Sequence, residues 1–170
     1  MPQLKILNTK EIKQILKLIE NQWNAKLKLD YAFLKNNKSR VFIVNKDIST
    51  IDLEKLRINS IGMYFCETRN NEIRLSIEGS QLVGPKASKN IIEIDEEQTK
   101  QWLKGEDLEI MKIREFSGYQ KSEVFLSIKE NDYSEFLIIK HNNYFLGTGK
   151  YKENKILNYV SKSRRINTNS

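Results

Sequence analysis

The sequence contains one cysteine (Cys66), one histidine (His141) and two prolines in 170 residues. A single cysteine excludes an internal disulfide, and one histidine beside it leaves no Cys/His set for structural zinc. Stability must come from packing, for which a hydrophobic content of 39% is sufficient. Long apolar runs are also missing. Stretches such as Val41–Val44 and Phe136–Ile139 fall far below the roughly 20 residues needed to cross a bilayer, so no transmembrane helix is expected. Met1-Pro2-Gln3-Leu4 leads into a charged helical pattern without the basic start and apolar centre of a signal peptide, so a cytoplasmic location is expected. Long repeats, linker tracts and low-complexity segments are absent as well.

Positive charge is plentiful. Lys plus Arg number 29 against 22 Asp plus Glu, a net charge of +7, and the resulting field favours polyanions such as nucleic acid or an anionic membrane. The excess is unevenly placed. Residues 91–110 carry seven acidic side chains against Lys100 and Lys104, a balance of −5, whereas residues 136–170 carry seven basic ones against Glu153 alone, a balance of +6.

Local patterns give the order of elements. Asn8 with Glu11 reads as a capping box, and Ile12, Ile15, Leu16, Ile19 and Trp23 follow at helical spacing; Lys10, Lys13 and Lys17 fall on the other side as a solvated face, with a weak second basic patch as the alternative. Strands are expected at Tyr31–Lys35 and Arg40–Asn45, a short helix at Asp52–Leu56, and strands again at Ile61–Glu67 and Glu72–Glu78. Gly79, Gly84 and Pro85 punctuate the chain where a domain boundary is expected, at about residue 88. Beyond it, Ile91–Ile94 reads as a strand, Asp95 as the cap of a helix carrying Gln98, Trp102 and Leu103, and Gly105 as its stop. Further strands are expected at Glu123–Lys129, Phe136–Lys140, Tyr144–Leu146 and Ile156–Val160.

Candidate chemistry is sparse. Cys66, inside Ile61–Cys66, reads as a buried strand thiol rather than a nucleophile, and His141 as a residue of a hairpin turn. Gly147-Thr148-Gly149-Lys150 lacks the following helix and the glycine spacing of a phosphate loop, so its glycines are read as places where a strand bends or another backbone approaches. Asp95, Glu96 and Glu97 occupy a cap and first turn, where the helix dipole favours negative charge; a structural role outweighs acid/base or metal chemistry, and no cofactor is expected. The basic residues of the last segment interleave with Tyr144, Tyr151 and Tyr159, a combination suited to phosphates and exposed bases. A solubilising tail with buried tyrosines is the alternative.

Two blocks carry a family resemblance. The first runs from Asn90 to Leu108, with the Ile91–Ile94 strand, Trp102 and the Gly105-Glu106-Asp107 turn. The second comprises Phe136–Lys140, Tyr144–Lys150 and Asn158-Tyr-Val-Ser-Lys-Ser-Arg-Arg165. Together they resemble a PUA domain, of the type found in small archaeal RNA-binding proteins and in a eukaryotic large-subunit ribosome-biogenesis factor. The first half, through Tyr31–Leu34, Val41–Val44, Ser60–Phe65 and Arg74–Gly79, resembles the domain preceding PUA in those proteins. The chain is also similar to the non-catalytic RNA-binding part of some RNA 5-methylcytosine methyltransferases, but Cys66 lies in Phe65-Cys66-Glu67 rather than in the Pro-Cys or Thr-Cys setting of their nucleophile. Ser161 stands where the family usually has proline, and Met111–Glu135 is longer than the usual connection.

The resemblance implies an α+β protein: an N-terminal mixed α/β pre-PUA domain at residues 1–88 and a C-terminal PUA β-pseudobarrel at 89–170. It implies a binding protein rather than an enzyme, with structured RNA (rRNA or tRNA) as partner, ribosome biogenesis or RNA modification as process, and ribosomal or RNA-modification proteins as further partners. The first domain would contact a protein or a second RNA segment. Lys150, Lys152, Lys162, Arg164 and Arg165 are the expected phosphate contacts and Tyr151 the expected stacking residue, with Gly147 and Gly149 shaping the approach.

Overall fold

A computed structural model describes residues 4–55, 58, 60–109 and 136–167. The strand expected at Glu123–Lys129, and the long Met111–Glu135 connection, lie outside the described residues. The first half opens with a two-residue strand, β1 (Lys5–Ile6), and a helix, α1 (Thr9–Trp23). Asn8 starts α1 through the expected capping box: its side chain accepts from Glu11 N–H, and Glu11 returns the bond to Asn8 N–H. Ile15, Ile19, Gln22 and Trp23 form the buried stripe, one face of a 3.6-residue period.

Four strands follow: β2 (Ala32–Lys35), β3 (Arg40–Val44), β4 (Met63–Arg69) and β5 (Glu72–Leu75). With β1 they make an antiparallel sheet in sequential order, so each strand is a neighbour of the next. Between β3 and β4, where a short helix is expected, the chain makes two 3-10 turns, Lys46–Thr50 and Leu53–Lys55. Gln22 completes the end of the sheet. Its amide donates to Ile73 O at 3.0 Å and accepts from Ile73 N at 2.6 Å, satisfying β5 as a further strand would.

The strand expected over Glu72–Glu78 ends at Leu75 instead. Ser76 caps a helix, α2 (Ile77–Val83), by accepting from Gly79 N–H at 2.9 Å. Ile73, Leu75 and Ile77 alternate across this junction, so the two-residue period runs on after the backbone has turned. Gly79 lies against the Phe65 carbonyl, where a side chain would collide with the backbone, and so lets α2 settle on β4.

The second sheet contains β6 (Ile91–Glu93), β7 (Leu108–Glu109), β8 (Phe136–His141), β9 (Tyr144–Lys152) and β10 (Lys155–Asn158), in the order β6-β8-β9-β10-β7. Helix α3 (Glu96–Lys104) lies between β6 and β7, started by the Asp95–Gln98 capping box and stopped by Gly105 at φ 91°. Strand β9 continues through Gly147 and Gly149 to Lys152, well past the expected end at Leu146, and turns at Glu153-Asn154, both in the left-handed region.

Strand β8 explains why Phe136–Ile139 is apolar at every position. Phe136 and Ile138 join a core with Trp23, Phe33, Ile43 and Phe65 of the first half, while Leu137 and Ile139 join a second core with Ile92, Trp102, Leu108 and Ile156. A strand buried on both faces has no polar side. Phe145 and Leu146 divide in the same way. The two sheets are therefore built on a shared core. Trp23 Nε1–H donates to Phe136 O at 3.0 Å, and Asn90 Nδ2–H donates to Gln22 O. On α2, Ser80 Oγ accepts from Gly147 N–H at 2.8 Å.

Candidate nucleic-acid interface

The basic C-terminal cluster is positioned from β10 outward. Asn158, the last residue of β10, donates through Nδ2 to Trp102 O at 2.7 Å and to Glu106 O at 3.0 Å, and its own N–H is accepted by Asp107 Oδ1 at 2.8 Å. The two resembling blocks thus meet physically, with the Gly105–Asp107 turn receiving Asn158. Asn158 Oδ1 also accepts from Val160 N–H, and Val160 is buried in the second core. From this anchor Lys162–Arg164 forms a single 3-10 turn, and Ile166 N–H donates to Leu103 O at 3.0 Å. Arg165 passes over Gly105 and donates from Nε to Val160 O at 3.1 Å; any side chain at Gly105 would occupy the guanidinium's place. The cluster is fixed at both ends against α3.

The expected contacts receive distinct environments. Lys152 and Lys162 are exposed and, among the described residues, have no carboxylate partner. Arg164 is exposed and ion-paired with Glu78 of α2. Lys150 is half-buried, 3.0 Å from Glu72 of β5, with its ammonium 5.1 Å from the Phe136 ring centroid. Tyr151 packs against the second core and donates its hydroxyl to Asn154 at 3.2 Å. The two glycines are buried. Gly147 has φ 92° and faces Ile77, and Gly149 faces Ile156 and Trp102, whose Cη2 would lie 2.8 Å from an added Cβ.

Tyr64 and Arg74, which were not among the expected contacts, complete this face around Tyr159, one of the tyrosines that interleave with the basic residues. Tyr159 packs edge-on against Phe136 at 5.5 Å, and the Arg74 guanidinium sits 4.8 Å from its ring centroid. A cavity of about 200 Å³ opens beside it, lined by Tyr64, Arg74, Ser161, Ser163 and Arg164. Burial holds the Tyr64 hydroxyl above the usual phenol range, so it stays a donor. Arg74 and Glu78 lie in a different sheet or helix from the cluster they meet, a pairing no local pattern announces.

Cys66 is fully buried in β4, and burial pushes its thiol far up, so the thiolate is suppressed. His141 Nδ1 lies 2.8 Å from Ile94 O, beside the β8–β9 turn. Glu96 is held below the usual carboxylate range by its hydrogen bond and charge contact with Lys100, consistent with a first-turn residue. Among the described residues no cluster of His, Cys, Asp or Glu could hold a metal ion, and no helix is long and apolar enough to cross a membrane.

Residues 89–166 match the family model described as the methyltransferase RsmF PUA domain. The second sheet and its helix are therefore similar to a PUA domain of the RsmF methyltransferase type. No curated protein matches the chain.

Proposed function

We propose that the chain is an RNA-binding protein acting on rRNA or tRNA, in ribosome biogenesis or as a ribosome-associated factor, with Lys150, Lys152, Lys162, Arg164 and Arg165 meeting the phosphates. The observation that carries this reading is the docked Lys162–Arg165 turn on a PUA domain: the cations are held against α3 rather than trailing as a solubilising tail. A preformed cationic surface binds a polyanion with less ordering cost than a flexible one. In this reading residues 1–88 are the pre-PUA domain, bound to the PUA domain through the shared core. The chain binds rather than reacts; its one cysteine is buried with a suppressed thiolate, which is the wrong state for a nucleophile.

In-cell crosslinking with sequencing of the bound RNA tests the RNA class. Enrichment of rRNA or tRNA fragments is expected, with loss of signal in the Lys162→Ala, Arg164→Ala, Arg165→Ala triple variant; equal recovery from the variant contradicts the site. Gradient sedimentation with precursor subunits alone supports an assembly role, and persistence on mature particles supports a resident one. A second reading, an RNA-recognition subunit for a separate RNA-modifying enzyme, is favoured by the methyltransferase type of the PUA match. It predicts co-purification with that enzyme and lost modification on deletion. An unchanged modification profile counts against it.

A further inference from the structure

The face just described does not stop at the edge of the PUA domain. The cavity beside Arg164 shares Arg74 and Tyr159 with a second depression of about 170 Å³. That depression shares Arg69 and Asn70 with a third, of about 590 Å³, lined by Lys17, Lys35 and Asn71 under α1. One continuous track thus runs from the C-terminal turn, across the seam between the sheets, to the β4–β5 turn of the first half.

Its charges are arranged for presentation. Glu67 is the pivot: one carboxylate oxygen lies 2.5 Å from Arg74 and the other 3.3 Å from Arg69. The Glu67 side chain is only 8% exposed, whereas that of Arg69 is 77% exposed. The Glu78–Arg164 pair repeats the pattern at the other end, 21% against 61%. Recessed carboxylates therefore hold Arg69 and Arg164 outward, with further N–H donors of each planar fork open to solvent, while Arg74, 26% exposed, is held at the seam between Glu67 and the Tyr159 ring. Asn70 and Asn71, both at positive φ, put two amides at the turn where they can reach base edges. Tyr64 and Tyr159 wall the seam, each with an arginine against its ring.

We propose that a single-stranded segment of the bound RNA follows this track, with Arg69, Arg74 and Arg164 on successive phosphates and a base lodged beside Tyr159 at the seam. The inference rests on the RNA-binding reading of the PUA domain and extends it to the first half. Arginine forks, aromatic walls and side-chain amides in a concave path suit an unpaired strand, whose bases can turn toward the protein, better than a rigid duplex.

The test uses the full chain and two labelled probes, an RNA hairpin alone and the same hairpin with a single-stranded extension of about 10 nucleotides at either end in turn. At least one extension should tighten binding by about five- to tenfold and give ultraviolet crosslinks to the peptides carrying Tyr64 or Tyr159. Arg69→Ala should remove most of that gain and lower the salt slope for the extended probe by about 0.7. Arg69 is exposed enough that the variant should keep the parent's circular dichroism. If the hairpin binds but neither extension adds affinity, or Arg69→Ala and Arg69→Glu both keep the gain, the track is wrong while the PUA reading stands. If neither probe binds at low salt, both fall. A glutamate-rich peptide that binds with Arg69 dependence where the extensions do not would make this a protein-docking surface and overturn the proposal.

Discussion

At the residue scale, single positions connect chemistry to packing. Cys66 should resist thiol reagents in the native protein and react at once in denaturant, so its labelling rate reports opening of the first core. Its raised folded pKa has a definite sign. The unfolded thiol loses its proton above about pH 8.5 while the folded one keeps it, so this contribution to stability is full below that pH and declines as pH rises beyond it. Gly149→Ala should destabilise by about 1–3 kcal/mol in urea titrations, because the new methyl meets Ile156 and Trp102. Cys66 was legible in the sequence because an apolar strand surrounds it. The roles of Gly147 and Gly149 were not, because the residues facing them come from α2, α3 and β10. The carboxylate partners were equally hidden, since Glu72 lies 78 residues from Lys150.

At the element scale, both longer helices begin where side-chain chemistry says they must. Asn8→Ala and Asp95→Ala should each cost about 1 kcal/mol, measured as a lower denaturation midpoint with unchanged slope. Those starts were readable because a capping box needs only four residues of sequence. The first two residues of α2, Ile77 and Glu78, read as the end of a strand because Ile73, Leu75 and Ile77 keep the two-residue period, and Ser76 as a cap is the signal that divides them. Strand β9 was cut short because its glycines resemble a terminus, although the sheet on either side supplies the register that carries the strand through them.

For the molecule as a whole, the shared core is the dominant fact. The two tryptophans lie one in each core, Trp23 in the first and Trp102 in the second. Trp23→Phe should cost about 1–3 kcal/mol, since it leaves the buried Phe136 carbonyl without its donor. It also leaves Trp102 as the only indole, and Trp102→Phe leaves Trp23. In each variant the fluorescence and circular dichroism transitions should coincide, because Phe136 and Ile138 join the first core from the same strand that builds the second. Separate midpoints would mean that the halves unfold independently. Sequence alone suggested two halves; it could not reveal their mutual burial, which depends on the face each β8 residue presents.

In the proposed function, RNA phosphates meet the PUA-like second half through the basic face ending at Arg165. The most direct test is the slope of log affinity against log salt for the full chain on one labelled RNA, compared with the Lys162→Ala, Arg164→Ala, Arg165→Ala variant. Weaker binding and a slope shallower by about 2 are expected for the variant. Equal affinity and equal slope in parent and variant would contradict that reading.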